Sequence, residues 1–134
     1  MTNTTNIKSP ISNNKSQISN QKKFNIHERI FNFVIYVLKF LNELPKTSQN
    51  LIFINQITRS STSIGANSQE ADGSISTKEF VRCLTITRKE TKETNYWLKI
   101  IRETNLRQQN KISPLLQEGK EIEAILSSII NKLK

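Results

Sequence analysis

The chain predicts an all-α fold, an antiparallel up-down four-helix bundle behind a disordered N-terminal tail. Three observations carry this. Four stretches repeat apolar residues at intervals of three and four, the period that lines one face of a helix. Short segments holding Pro, Gly, Asn, Asp or Ser separate them. No stretch alternates apolar and polar residues as a half-buried strand would. Helices joined by short loops pack as antiparallel neighbours.

The 134 residues suffice for one domain, placed at 25–134 behind a tail at 1–24. The tail is mostly Asn, Ser, Thr, Gln and Lys with isolated isoleucines and Pro10. It offers too little apolar surface to offset the entropy of ordering, so disorder is expected there. It carries Lys8, Lys15, Lys22 and Lys23 and no acid.

Helix 1 is expected from about Ile26 to Glu43. Ile30, Val34, Val37, Leu41 and Leu44 form its seam. Phe31, Phe33, Ile35, Tyr36, Leu38 and Phe40 widen that seam beyond what a surface helix needs, which favours self-association. Pro45 ends the helix, because a proline disfavours helical geometry in the residue before it. Helix 2 starts near Thr47 or Ser48, both good N-caps, with Leu51, Ile54, Ile57, Ile64 and Ala71 on its inner face. Ser60, Ser61, Ser63, Gly65 and Ala66 make its middle small, so it depends on its neighbours for stability.

Helices 2 and 3 meet at Asp72-Gly73-Ser74. Gly73 suits a left-handed C′ position, and Ser76-Thr77-Lys78-Glu79 has the form of a capping box. Helix 3, from about Thr77 to Asn105, would be roughly 40 Å long at about 1.5 Å per residue. Its seam is Phe80, Leu84, Thr87, Thr91, Thr94, Leu98 and Ile101, with Trp97 and Ile100 placed to pack on helix 1 or 4. Folding the hairpin between Ser74 and Ile75 sets Arg59 level with Glu90, Gln56 with Glu93, and Asn67 with Arg82. With Glu70 these predict a hydrogen-bonded polar layer inside the pair, since a buried charge is tolerable only when paired. A turn at Asn110 to Ser113 follows, with Ser113-Pro114 as N-cap and first residue of helix 4. Leu116, Gly119, Ile122, Ile125 or Leu126, Ile129 and Leu133 mark the inner face of that helix.

The runs RSSTSIGAN, QEA, STKEF and TRKETKETNYWL, within Gln56 to Leu98, resemble the bacterial four-helix-bundle proteins related to the 23S rRNA-intervening sequence proteins. The resemblance is closest over about 45–105. It implies a bundle that assembles into a homo-oligomer, a pentamer being the best-known state. Similar bundles serve as accessory subunits to reverse transcriptases, which implies a protein partner. None of these motifs is catalytic.

A net charge of +9 and a pI near 9.9 favour anionic partners, though codon bias toward Asn, Ile and Lys gives the same balance. On helix 3, Lys78, Arg82, Arg88, Lys89, Lys92, Lys99 and Arg102 recur mostly at steps of three, four or seven. The plain reading is a solvated mixed-charge face; the sharper one is a surface for RNA or other nucleic acid phosphates. Aromatic residues fall mostly on apolar faces, which argues against sequence-specific reading of single strands.

One histidine, His27, and one cysteine, Cys83, leave no zinc constellation. His27 reads as a helix-terminal surface residue and Cys83 as an inert buried thiol. No Glu-x-x-His pair and no Gly-rich phosphate loop occurs. No nucleophile–base pair can be named, so a non-enzymatic protein without metal or cofactor is expected. The absence of a disulfide pair and of an apolar leader fits the cytoplasm. The run from Phe31 to Leu41 is too short for a membrane span.

Overall fold

The structure, a computed structural model, describes residues 24–134; the expected disorder of the tail lies outside them, save at Phe24. Four helices occupy the described chain. α1 spans Ile26–Leu41, α2 Ser48–Asp72, α3 Thr77–Thr104 and α4 Gln109–Leu133, with a 3-10 turn at Leu106–Gln108 before α4.

Local chemistry sets most of the helix ends. Extended Asn25 accepts from the N–H groups of His27 and Glu28 at 2.9 and 3.2 Å, which opens α1. Beyond its last turn the Lys46 ammonium donates to the carbonyls of Leu44, Asn42 and Leu41 at 2.9–3.5 Å, supplying partners that the helix leaves unmade. Thr47 caps α2 by accepting from Asn50 N–H at 3.1 Å. Ser76 caps α3 by accepting from Glu79 N–H at 3.1 Å. The return half of the capping box is absent, because the Glu79 carboxylate is taken by Arg82.

Two expected helix ends differ. Gly73 is not left-handed: its φ is −93°, and Ser74 closes the turn with both its N–H and its hydroxyl on Ala71 O. Pro114 lies inside α4 rather than at its start. The helix must begin earlier to bury Ile112, which is wholly enclosed. The bond Pro114 cannot make would reach the carbonyl of Asn110, an exposed residue that water can serve.

α1 packs on α2, α2 on α3, α3 on α4 and α4 on α1, while the diagonal pairs make no backbone contact. This is a four-cornered antiparallel bundle. Its core is built from Ile30, Phe33 and Val37 of α1, Ile57 and Ile64 of α2, Leu84, Leu98 and Ile101 of α3, and Leu116, Ile122, Leu126 and Ile130 of α4. α2 and α3 pack most extensively; Ser60, Ser61, Thr87, Thr91 and Thr94 of these helices are small and fully enclosed. α1 and α4 pack least, and the bulky Phe33 and Phe40 lie at the groove between them. The broad apolar face of α1 divides: Phe33 and Phe40 turn inward, whereas Phe31 and Tyr36 are 56% and 60% exposed. Leu51, expected inside, is exposed, and Asn50 occupies that inner slot. Among the described residues no helix is long and apolar enough to cross a membrane.

Candidate nucleic-acid interface

Side chains three, four and seven residues apart share a helix face. On α3 this places Lys78, Lys89, Lys92 and Lys99 outward and exposed, with Arg82 beside them. Arg88 and Arg102 are half-buried at the flanks. The seven are not equivalent. Arg82 forks onto Glu79 at 3.0 and 2.6 Å, and Arg102 meets Glu103 at 3.2 Å. Arg88 donates only to the Ser127 hydroxyl of α4, at 3.3 Å. Among the described residues Lys78, Lys89, Lys92 and Lys99 form no ion pair.

Three of these cations share a hollow. Thr85, Arg88, Lys89 and Lys92 of α3, with Glu123 and Ser127 of α4, line a concavity of about 290 Å³. Glu123 accepts from Asn95 Nδ2 at 3.2 Å. The hollow therefore presents three cations and the Ser127 hydroxyl against one carboxylate, while the Thr85 hydroxyl donates to Val81 O at 2.7 Å; its net positive charge suits an oxyanion.

The polar layer expected inside the hairpin lies at its edge. Arg59 does reach both glutamates, Glu90 at 3.5 Å and Glu93 at shorter range, yet its side chain is 53% exposed. Gln56 is half-buried and makes no hydrogen bond to them. Asn67 does not meet Arg82; it donates to Ser63 O of its own helix at 2.9 Å. Glu70 is exposed and has no hydrogen bond into a layer. The enclosed threonines are served locally, Thr87 by Cys83 O and Thr91 by Thr87 O, each at 2.8 Å. Thr94 alone crosses the hairpin, meeting the Ser60 hydroxyl at 2.7 Å. Of the expected layer only the Arg59–Glu90–Glu93 group forms; the enclosed Thr87 and Thr91 satisfy themselves on the preceding turn and draw no further polar partner inward.

The Arg59 guanidinium holds Glu93 below its ordinary carboxyl range, aided by Trp97 Nε1–H at 3.2 Å. A depressed folded pKa contributes stability above the unfolded value and loses it as pH falls through the folded one. Thermal melting is thus expected to weaken between about pH 5 and pH 3. Glu93→Gln should flatten that dependence without abolishing it, since Glu79 and Glu121 are lowered as well. A melting series against pH that is equally steep in the variant counts against this assignment.

The other candidate groups are occupied. His27 is not a surface residue: its side chain is 12% exposed, with Nδ1 2.7 Å from Ser68 Oγ and Nε2 3.7 Å from Asp72. This trio has the residue types of a hydrolytic triad, but Ser68 is 1% exposed and its hydroxyl cannot reach a substrate. It ties α1 to α2. Cys83 is buried, and burial raises its thiol pKa, away from the reactive thiolate. Among the described residues no cluster of His, Cys, Asp or Glu could hold a metal.

The family model for the 23S rRNA-intervening sequence protein matches residues 22–128. The chain belongs to this family. A crystal structure of a protein with unknown function from the S23 ribosomal protein family of Bacteroides thetaiotaomicron VPI-5482 is 30% identical to it. The match covers 79% of this chain and 98% of that one, with a TM-score of 0.72. No curated protein matches. Membership of the 23S rRNA-intervening sequence protein family accounts for the bundle; the task has to be argued from the site.

Within this family member, sequence reasoning passed over two features. Tyr96 is 57% exposed and stands on the lysine face, four residues after Lys92 and three before Lys99. Its ring meets Trp97 edge-on at 5.4 Å. Trp97 in turn packs on Phe53 of α2, centroids 6.0 Å apart. The spacing of Tyr96 from the lysines was the available signal. The second is Asn50 with Asn105, whose amides bond reciprocally at 2.9 and 3.0 Å; nothing local in the sequence joins them.

Proposed function

We propose that this chain is a non-catalytic, oligomeric nucleic-acid-binding protein that holds structured RNA by its phosphates along the outward face of α3. One observation carries the reading. The glutamates of α3 are all engaged by arginines, Glu79 by Arg82, Glu90 and Glu93 by Arg59, and Glu103 by Arg102. That leaves Lys78, Lys89, Lys92 and Lys99 without an ion pair, Lys89 acting on Glu93 only through its field, with Arg88 held only by a hydroxyl. A net charge of +9 adds a long-range field of the same sign.

Binding driven by about five phosphate contacts should lose roughly 100- to 500-fold in affinity between ~50 and ~200 mM salt. Fluorescence anisotropy with a folded RNA measures this. Lys89→Gln with Lys92→Gln should reduce the salt slope by about two contacts' worth. No binding at low salt ends the proposal.

A second reading, as a protein-interaction adaptor or accessory subunit, is favoured by the groove between α1 and α4. It encloses about 670 Å³ over Phe33, Tyr36, Phe40, Pro114 and Leu115, a mostly apolar surface of the kind that marks association. Self-assembly, into the pentamer that the family resemblance implies or another ring, would cover such a surface. Molar mass in solution tests it: a mass of one 15.5 kDa chain removes the oligomer from the proposal.

A further inference from the structure

We infer that the α3 face takes unpaired nucleotides, with a base stacked on Tyr96 and its neighbouring phosphates on Lys92, Lys99 and the hollow at Arg88 and Ser127. This rests on the phosphate-binding reading above and narrows its substrate. Tyr96 is the one strongly exposed aromatic residue among the described residues of α3. It lies between two lysines that form no ion pair, one helical turn to either side, where neighbouring Cβ atoms are about 5–6 Å apart.

The ring is also braced. Trp97 meets it at 67°, Trp97 packs on Phe53, and the Trp97 N–H is fixed on Glu93. Trp97 backs the tyrosine from one side and leaves more than half of it to solvent, which suits a stacking platform. Every base has a π-face, so such a platform is tolerant of sequence. A duplex offers no free base face, and the major groove of A-form RNA is too deep and narrow to be read by side chains. The chemistry therefore selects loops, bulges and single-stranded ends.

Anisotropy at low salt would compare three probes of equal length, about 12 nucleotides each: single-stranded RNA, its abasic backbone and a blunt duplex. A stacked base is worth roughly tenfold in affinity, so the single strand should bind about tenfold tighter than the abasic strand. Tyr96→Ala should erase that difference while leaving abasic binding unchanged, and Tyr96→Phe should keep it. Equal binding of the abasic and base-containing strands by the wild type overturns the inference, as does a preference that survives Tyr96→Ala. Either result leaves the phosphate reading standing. Failure of all three probes to bind at low salt overturns that reading itself.

Discussion

Replacing Asn50 with aspartate is expected to destabilise the bundle by about 3–5 kcal/mol at neutral pH, the range for an uncompensated buried charge. Asn50 is 3% exposed. Its Nδ2 donates to Pro45 O and to Asn105 Oδ1, both at 2.9 Å, and its Oδ1 accepts from Asn105 Nδ2 at 3.0 Å. These bonds fasten the α1–α2 connection to the end of α3. An ionised carboxyl donates nothing and would face two carbonyl oxygens at bonding distance. Burial and those acceptors disfavour its charged form, so its folded pKa lies above the unfolded value of about 3.9. The sign follows: the ionisation penalty is absent below the unfolded pKa, grows between the two, and is complete above the folded one. The gap in melting temperature between Asn50→Asp and wild type should therefore be largest near neutrality and narrow toward about pH 4. Asn50→Ala is the control; it loses bonds but adds no charge, costing about 1–3 kcal/mol with no such pH dependence. A pH-independent gap for Asn50→Asp means that the site is open to water.

Legibility from sequence followed the range of the interaction. The seam of α1, Ile30 to Leu41, was legible because burial repeats at helical spacing, and its four members are enclosed, as is Leu44 just past the helix. The caps at Thr47 and Ser76 were legible because they act within three residues. Leu51 was misplaced because periodicity counts an apolar residue inward and a polar one outward, whereas Asn50 is held inside by a residue 55 positions away. Pro114 was misplaced for a similar reason: the preference for a helix start yields to the burial of Ile112. On the candidate surface, spacing alone gathered the basic residues of α3. Which of them remain free depended on arginine–glutamate pairing, and Arg59 arrives from another helix. Tyr96 was passed over, although four residues from Lys92 and three from Lys99 is the spacing of a shared outward face.

A tight approach in the interior supplies the second large effect. On an open helix surface Gly→Ala is favourable by up to about 1 kcal/mol; at position 119 the sign should reverse. Gly119 is buried where α4 meets α3 and α1. A Cβ there would stand 2.0 Å from Asn95 Oδ1, 2.9 Å from Asn95 Cγ and 3.1 Å from Phe33 Cζ. Asn95 cannot simply swing aside: it is 5% exposed, and its Nδ2 is committed to Glu123. Its Oδ1 already has no hydrogen-bond partner, so the glycine leaves room for a carbonyl and offers it nothing. Overpacking of this kind costs about 1–3 kcal/mol, which in a bundle of this size lowers Tm by roughly 5–15 °C. The mechanism names its own rescue. If the Asn95 amide is the obstacle, Asn95→Ala should absorb much of the cost, and the double variant should be less destabilised than the two single changes added together. Additive losses would place the strain elsewhere, at Phe33 or in the α4 backbone. A Gly119→Ala protein that melts higher than wild type would mean that α3 and α4 stand further apart than this packing requires.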